Sequence, residues 1–472
     1  MTEVSLPAAF RDQIITMLGE HEGEAFFHSY TTKRTYGLRL NQLKIPPSSK
    51  AEQTIQQLFD LRPVSWCTGG YYYDEHFRPG KHPYHAAGLY YIQEPSAMSA
   101  VELLAPKPGE VVLDLAAAPG GKTTQIAAKM AGSGLLISNE IHPQRAKILA
   151  ENVERLGIRN AVVTQATPGE LSSRFPLAFD RIMLDAPCSG EGMFRKDHDA
   201  ISEWSPASVE VCVNRQWDIL QDAVAMLKPG GVMAYSTCTF NRRENEEMMS
   251  RLLNEYPFLR LVQEKRIWPH LQEGEGHYVA LIERLTSSDD ILNDSSANSP
   301  RDRSSRHSRR TGRNDRSSRE TKDVSSSWKT FLAWAQEELP GFKAPAGTPI
   351  LFGEALYLLP HSESYSLNMD QLSGLKIPRA GLHLGDFRKD RFHPAHALAM
   401  ASAAQDAACV RNLEADSPEV TSYLHGDTLT IPDSIRGWCL VTITCGEDHF
   451  PLGWGKASNG QLKNHLPKGL RN

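Results

Sequence analysis

The sequence predicts an α/β protein built on a doubly wound parallel sheet, with a small α/β unit before it and a β-rich module after it. Three observations predict this. Between 96 and 286, apolar strand patterns alternate with helical patterns long enough to return each strand parallel to the last. The first strand of that series runs into a Gly-rich turn and then a helix, the arrangement by which doubly wound sheets bind ligands at their carboxyl edge. At 287 the composition changes abruptly, and order signals resume only near Trp328.

The elements follow in sequence order. VVLDLA at 111–116 is a strand, AAAPGGK at 116–122 the turn, and a helix begins at Lys122. LLISNE at 135–140 is the next strand, followed by a helix over 142–156 that stops at Gly157. AVVTQA at 161–166, DRIMLDAP at 180–187 and GGVMAYSTCT at 230–239 continue the series. Residues 96–286 are therefore read as one domain.

Residues 1–95 form the N-terminal unit. Phe10, Ile14, Ile15 and Leu18 share one face of a helix over 10–18. GLRLNQLK at 37–44 alternates as a strand, with Arg39, Asn41 and Lys44 on one side or at its edges. Tyr71, Tyr72 and Tyr73 precede His76, Arg78, Lys81 and His82. That interleaving suits base stacking and phosphate contact; it equally suits a half-buried sheet with a solvated loop.

Residues 287–326 are Ser/Arg-rich, too poor in apolar groups to offset the entropy of ordering, and are expected to be a disordered linker. The arginines between 301 and 319 make it either a tether on RNA phosphate or a solvated spacer, with the spacer slightly favoured. Residues 327–404 are an intermediate region, and 405–472 a strand-and-turn module whose end carries Lys456, Lys463, Lys468 and Arg471. A basic β-rich module suits RNA, although many folds share that composition.

Composition bounds the rest. At 472 residues the length suggests about three domains. A net charge of −5 does not point to nucleic acid, so any such surface must be local. No apolar run reaches the roughly 20 residues of a membrane span, and residues 1–7 lack the pattern of a secretory signal. Seven scattered cysteines then read as free thiols in a cytoplasmic protein. No CxxC pair exists, so no metal site is expected.

Two places carry chemistry. In the turn Ala116, Ala117, Ala118, Pro119, Gly120, Gly121 and Lys122, the glycines admit a ligand close to the backbone. Glu140, about 20 residues after the glycines, stands where acids bind ribose hydroxyls. Asp114 is placed to hold backbone or an ammonium group. Together these suit an adenosine-containing ligand carrying an amino acid; the alternative is a structural turn with a surface acid. The second place is a pair of cysteines. DAPCSG at 185–190 and STCTF at 236–240 put Cys188 and Cys238 at or just beyond strand ends. If those strands are neighbours, both thiols face the ligand crevice. Cys67, Cys212, Cys409, Cys439 and Cys445 lack such placement and read as packing residues.

The motifs PSAMSA (95–100), LAAAPGGKT (115–123), NE (139–140), LDAPCSGEGMFRKD (184–197) and YSTCTFNRRENE (235–246) resemble the NOL1/NOP2/Sun family of RNA cytosine-5 methyltransferases. The likeness covers nearly the whole chain. The run at 378–399 and the final residues are similar to the C-terminal extension of RsmF-type enzymes, which act on 16S ribosomal RNA; the last part is PUA-like. The resemblance implies a Rossmann-like class I methyltransferase domain, an RNA-binding N-terminal domain and S-adenosylmethionine as cofactor. It implies cofactor contacts from Ala116 to Lys122, Glu140 and Asp185, Cys238 as nucleophile, and Cys188 as an aid to product release. Many members carry an Asp after the third strand that contacts adenine; here Thr167 is near that position, so the contact is not implied. The 287–326 linker is also outside the family pattern.

The implied chemistry explains the thiol. Carbon 5 of cytosine becomes nucleophilic only after a thiolate adds to carbon 6, and Asp185 would meet charge developing near N3. The base must leave its stack to enter such a crevice. The expected partner is small-subunit ribosomal RNA or the 30S subunit, met by a monomer with no membrane contact. Transfer RNA is an alternative substrate, and a non-catalytic ribosome-assembly factor an alternative class. A DNA-type enzyme would instead use Cys188 as nucleophile. Glu151, Asn152 and Val153 match a motif of those enzymes, but within a helix, far from any strand end.

Overall fold

The computed structural model describes residues 6–286, 323–389 and 391–471. The expected linker, with its arginine cluster, lies outside the described residues as far as 322.

Four short strands form an N-terminal sheet: β1 (Tyr36–Leu40), β2 (Arg62–Pro63), β3 (Gly70–Tyr73) and β4 (Tyr90–Ile92), in the order β2-β3-β1-β4. The helix before them spans Ala8–Leu18 and buries Phe10 and Ile14. The strand expected over 37–44 stops at Leu40. Asn41 ends it by turning its amide onto the carbonyls of Gly88 and Leu156, 2.8 and 2.9 Å away. Arg39, buried, donates to Thr124 Oγ1 at 2.6 Å and to the Gly121 carbonyl at 3.2 Å. These side chains tie the N-terminal unit to the next domain. The Tyr71 hydroxyl bonds Glu52, the Tyr72 hydroxyl bonds the Glu273 carbonyl, and Arg78 and Lys81 are exposed.

Seven strands follow: β5 (Val111–Asp114), β6 (Leu135–Asn139), β7 (Ala161–Gln165), β8 (Phe179–Asp185), β9 (Leu227–Thr237), β10 (Leu259–Ile267) and β11 (His277–Arg284). After 322 come β12 (Gly347–Phe352), β13 (Ala355–Pro360), β14 (Lys376–Ala380), β15 (Leu382–Arg388) and β16 (Arg391–Pro394). The central sheet has the order β10-β11-β9-β8-β5-β6-β7-β14. Its five middle strands are parallel, as expected; β10, β11 and β14 are antiparallel additions at the flanks. Strands buried on both faces send alternate residues to opposite cores. Leu113, Ile137 and Ile182 pack with Leu171, Leu220 and Met248 from helices on one face. Val112, Leu136 and Met183 pack with Leu104, Ile126 and Leu149 from helices on the other.

β14 lies in the intermediate region yet pairs with β7, Arg379 opposite Val163. Its neighbours β12, β13, β15 and β16 form a separate four-stranded sheet. A last sheet joins β17 (Val410–Leu413), β18 (Leu429–Thr430), β19 (Gly437–Cys445), β20 (Asp448–Ser458) and β21 (Gln461–Asn464) in the order β17-β19-β20-β21-β18. Its core is continuous with that of the N-terminal sheet, through Leu38, Tyr84 and Val441. Among the described residues, no helix is long and apolar enough to cross a membrane.

Candidate active site

The turn after β5 opens the helix Gly121–Lys129, with Gly120 at φ +117°, where a side chain would be strained. The turn is held from three sides. Asn139 Nδ2 bonds the Leu115 carbonyl at 3.2 Å, Arg145 bonds that of Ala118 at 2.8 Å, and Asn152 bonds that of Pro119 at 2.9 Å. Ala117 donates to the Asn139 carbonyl. Lys122 turns inward to pair with Asp185.

Two acids face this turn. Asp114, fully buried, accepts from Thr123 Oγ1 at 2.6 Å through one oxygen; the other has no partner. Burial pushes its carboxyl up to about 7, against the pull of Thr123 and Lys122. Glu140, just past β6, is 2% exposed and is held by the His142 N–H at 2.9 Å and by Arg145 at 3.3 Å. An orphaned buried acceptor needs a donor, and the α-ammonium of an amino-acid moiety supplies one. Glu140 offers carboxylate oxygens able to accept from a ribose diol. The residues present therefore fit S-adenosylmethionine, with Asp114 and Glu140 as holding groups.

The thiols meet. β8 and β9 are parallel neighbours, with Asp185 opposite Ser236. Cys188 Sγ and Cys238 Sγ lie 3.4 Å apart, both half-buried. The Cys238 sulfur, together with burial, holds the Cys188 thiol well above its ordinary range. Beside them Asp185 pairs with Lys122 Nζ at 2.7 Å and accepts from Ser236 Oγ at 2.8 Å. Burial alone would raise the Asp185 carboxyl; Lys122 and His277 outweigh it, and the group sits below the usual carboxylate range. Lys122 thus links the cofactor turn to Asp185 at the end of β8.

The structure adds residues that the sequence reading missed. Tyr278 of β11 pairs with Thr237, so His277 stands beside Cys238 in the register. His277 is buried, and its Nε2 lacks a hydrogen-bond partner. Burial and Lys122 push the imidazole down to about 4, so it is neutral. Gly192 donates to the Cys238 carbonyl at 2.8 Å, and a Cβ there would lie 2.9 Å from that oxygen. Glu191, buried, bonds Gln13 of the N-terminal helix, Trp204 Nε1 and the Phe240 N–H. Asn245 holds the Cys238 turn by accepting from Thr237 Oγ1 and donating to the Thr239 carbonyl. Thr167 caps the helix Pro168–Ser172.

A doubly wound sheet with this turn, its orphaned acid and its buried glutamate defines a Rossmann-like, S-adenosylmethionine-dependent methyltransferase. Residues 101–283 match the family of 16S rRNA methyltransferase RsmB/F. Residues 6–95, 333–401 and 410–472 match the N-terminal domain, first C-terminal domain and PUA domain of RsmF. The chain belongs to the RsmF family of 16S rRNA methyltransferases. The ribosomal RNA small subunit methyltransferase F of Shewanella loihica is 31% identical, over 99% of this chain and 96% of its own. That of Vibrio vulnificus is 32% identical over 99% and 98%. A methyltransferase homologue from Pyrococcus horikoshii is 27% identical, with a TM-score of 0.54 over 60% of this chain and 96% of that one. NSun6 of the same organism, solved with SFG, shares the fold at 19% identity and a TM-score of 0.54, over 61% and 100%.

Proposed function

We propose that the protein methylates carbon 5 of a cytosine in 16S ribosomal RNA, with Cys238 as nucleophile and Cys188 as its helper. The observation that carries this reading is the pair of sulfurs 3.4 Å apart at the carboxyl ends of adjacent parallel strands, beside the ion pair of buried Lys122 and half-buried Asp185. Such a crevice offers a nucleophile, a second thiol and a polar clamp for one flipped base.

In this reading the Cys238 thiolate adds to carbon 6. The electron pair moves toward N3, and carbon 5 becomes nucleophilic. Asp185 accepts from the exocyclic amine, while the Lys122 ammonium stabilises negative charge growing on the ring. S-adenosylmethionine, when bound, supplies an electrophilic methyl group. After transfer, the carbon 5 proton passes to water, its electron pair re-forms the carbon 5–carbon 6 double bond, and the Cys238–carbon 6 bond breaks to return the thiolate. Cys188 assists that release by donating a hydrogen bond to the departing sulfur. His277, neutral and unpartnered, remains available to a polar atom of the base.

RNA contact is assigned to the N-terminal domain and to the PUA-like module. Lys456 and Lys463 are direct cross-strand partners on β20 and β21, both exposed. Like charges so placed repel, and an RNA phosphate would relieve them. The protein is read as a cytoplasmic monomer acting on small-subunit RNA or the 30S particle. Bisulfite sequencing of total RNA from cells with and without the protein tests the assignment. Loss of one or more protected cytosines in 16S RNA is expected; an unchanged small-subunit profile overturns it. Cys188→Ala protein should also trap a covalent RNA adduct. If instead Cys188→Ala is inactive and Cys238→Ala fully active, the nucleophile is misassigned.

A further inference from the structure

Glu244 is fully buried, six residues after Cys238, and no step of the chemistry above uses it. Its carboxylate turns back beneath the thiols. One oxygen accepts from the Ser189 N–H at 2.9 Å and from Gln216 Nε2 at 2.8 Å; the other accepts from the Ser189 hydroxyl. Ser189 Oγ is also 2.9 Å from Thr239 Oγ1. Ser189 follows Cys188 and Thr239 follows Cys238. A single carboxylate therefore fastens the loop behind one sulfur and, through one hydroxyl, the loop behind the other. Among the described residues, these partners are all neutral. A buried carboxylate without a cation is costly: burial raises the Glu244 carboxyl above its ordinary range, and the hydrogen bonds from Ser189 and Gln216, with Thr239 nearby, pull it back toward the charged form. A fold that needed only packing would place an apolar side chain there.

We propose that Glu244 is a positioning residue for the thiol pair: it clamps the Cys188 and Cys238 loops together and, as a buried negative charge, keeps the proton on Cys188. The inference rests on the division of labour proposed above. A protonated Cys188 is the form able to donate a hydrogen bond to Cys238, both when Cys238 is a thiolate and when it leaves carbon 6. A second thiolate 3.4 Å away would instead repel it.

The surroundings are consistent with this. Cys238 is the chief influence on the Cys188 thiol, followed by burial and then by the charge of Glu244. Other titratable or charged groups face this cluster from the elements around it. They are Glu191 on the loop after Cys188, Cys212 and Arg215 on the helix Pro206–Met226, Tyr235 on β9, and, on the cofactor side, Asp185 paired with Lys122 and the neutral His277. Tyr235 donates to the Glu244 backbone carbonyl at 2.7 Å, so it fixes the main chain and leaves the carboxylate to Ser189 and Gln216. Of the cations, Arg215 acts on Cys212 and Lys122 is paired with Asp185.

The test follows alkylation of Cys188 by iodoacetamide against pH, read by peptide mass spectrometry on the full-length protein. Glu244→Gln removes the charge and keeps the shape. Its Cys188 profile should shift to lower pH by about one unit, and its single-turnover methylation should slow about tenfold with unchanged affinity for S-adenosylmethionine. A folded Glu244→Gln protein with the wild-type Cys188 profile overturns the proposal. Ser189→Ala separates clamp from charge: methylation should slow about tenfold while the Cys188 profile stays in place. Wild-type methylation in Ser189→Ala overturns the clamp, and decides the matter if Glu244→Gln does not fold. Alkylation needs no turnover, so the Glu244 result stands apart from the nucleophile assignment, which fails only if Cys238→Ala remains active.

Discussion

The protein holds two pairs of facing thiols, and they differ in everything but proximity. Cys188 and Cys238 are 3.4 Å apart beyond the ends of β8 and β9. Cys409 and Cys439 are 2.8 Å apart beside β17 and on β19, which are also parallel neighbours. The second pair is the tighter, yet nothing around it suggests catalysis. Cys439 is fully buried in the apolar core shared with the N-terminal sheet, and Cys409 together with burial holds its thiol up. The first pair stands at the carboxyl edge of β8 and β9, where the Lys122–Asp185 ion pair, the neutral His277, the orphaned Asp114 and the buried Glu140 also gather. A thiol becomes a reagent through the groups that govern its proton and receive its substrate. Distance between sulfurs does not supply those groups.

That contrast breaks most sharply under mutation. Cys238→Ala should lower methylation of 16S RNA by about 10⁴-fold or more, whereas Cys439→Ala should stay within about twofold, measured by methyl transfer from labelled S-adenosylmethionine. A large loss in Cys439→Ala would erase the distinction. Next in size, Cys188→Ala should slow turnover by about 10²- to 10³-fold and accumulate an RNA–protein adduct on a denaturing gel. Fast turnover without adduct would show that only one thiol of the crevice matters.

The donor site gives a third, smaller effect. Asp114 is raised from 3.8 to about 7 by burial. Below that pH the carboxyl holds a proton, which an incoming ammonium must displace. Affinity for S-adenosylmethionine should therefore weaken as pH falls below about 7, approaching tenfold per unit, and calorimetry on Asp114→Asn should find weaker binding with the pH dependence gone. The folded protein binds this proton more tightly than the unfolded chain does. Stability without ligand should accordingly fall as pH rises from about 4 to about 7, then level off. The smallest effect returns to the thiols: Cys439→Ala should cost about 1 to 2 kcal/mol in chemical denaturation, and Cys238→Ala about 0.5 kcal/mol or less. Equal losses would mean that both pairs are packing elements.

How much of this was legible depended on whether the signal was local. Strands such as 135–139 and 161–165 announce themselves by apolar runs between helices, and Cys188 and Cys238 stood out because each closes such a run. What brings distant residues together was not legible. His277 reaches the crevice through the register of antiparallel β11 on β9, and Glu244 through a loop that folds back under the sulfurs. Arg39, Asn41 and Lys44 looked like the polar side of a strand, but two of them are buried and Lys44 bonds the Ala87 carbonyl at 2.8 Å. Polar residues that bind backbone across a domain boundary look, in one dimension, like polar residues that face water. As a string, the family motif 235–246 does not tell the roles of its residues apart. Its geometry now explains Glu244, which bonds the Cys188 loop; Asn245, which holds the Cys238 turn; and Glu246, which pairs with Arg266 at 2.8 Å.

The pairing of β14 with β7 has one more consequence. The chain leaves the central sheet after β11 and re-enters it at the opposite flank with β14. The two halves are thus laced together by backbone hydrogen bonds as well as by the covalent chain. A polypeptide cut anywhere between 287 and 322 should behave as one particle in gel filtration. Conversely, a chain ended at 286 would bare β7 as an unpaired edge, open to strands of other molecules. The C-terminal extension is in this sense a seam that closes the catalytic sheet, so its loss should be felt first as poor solubility and only then as weaker RNA binding.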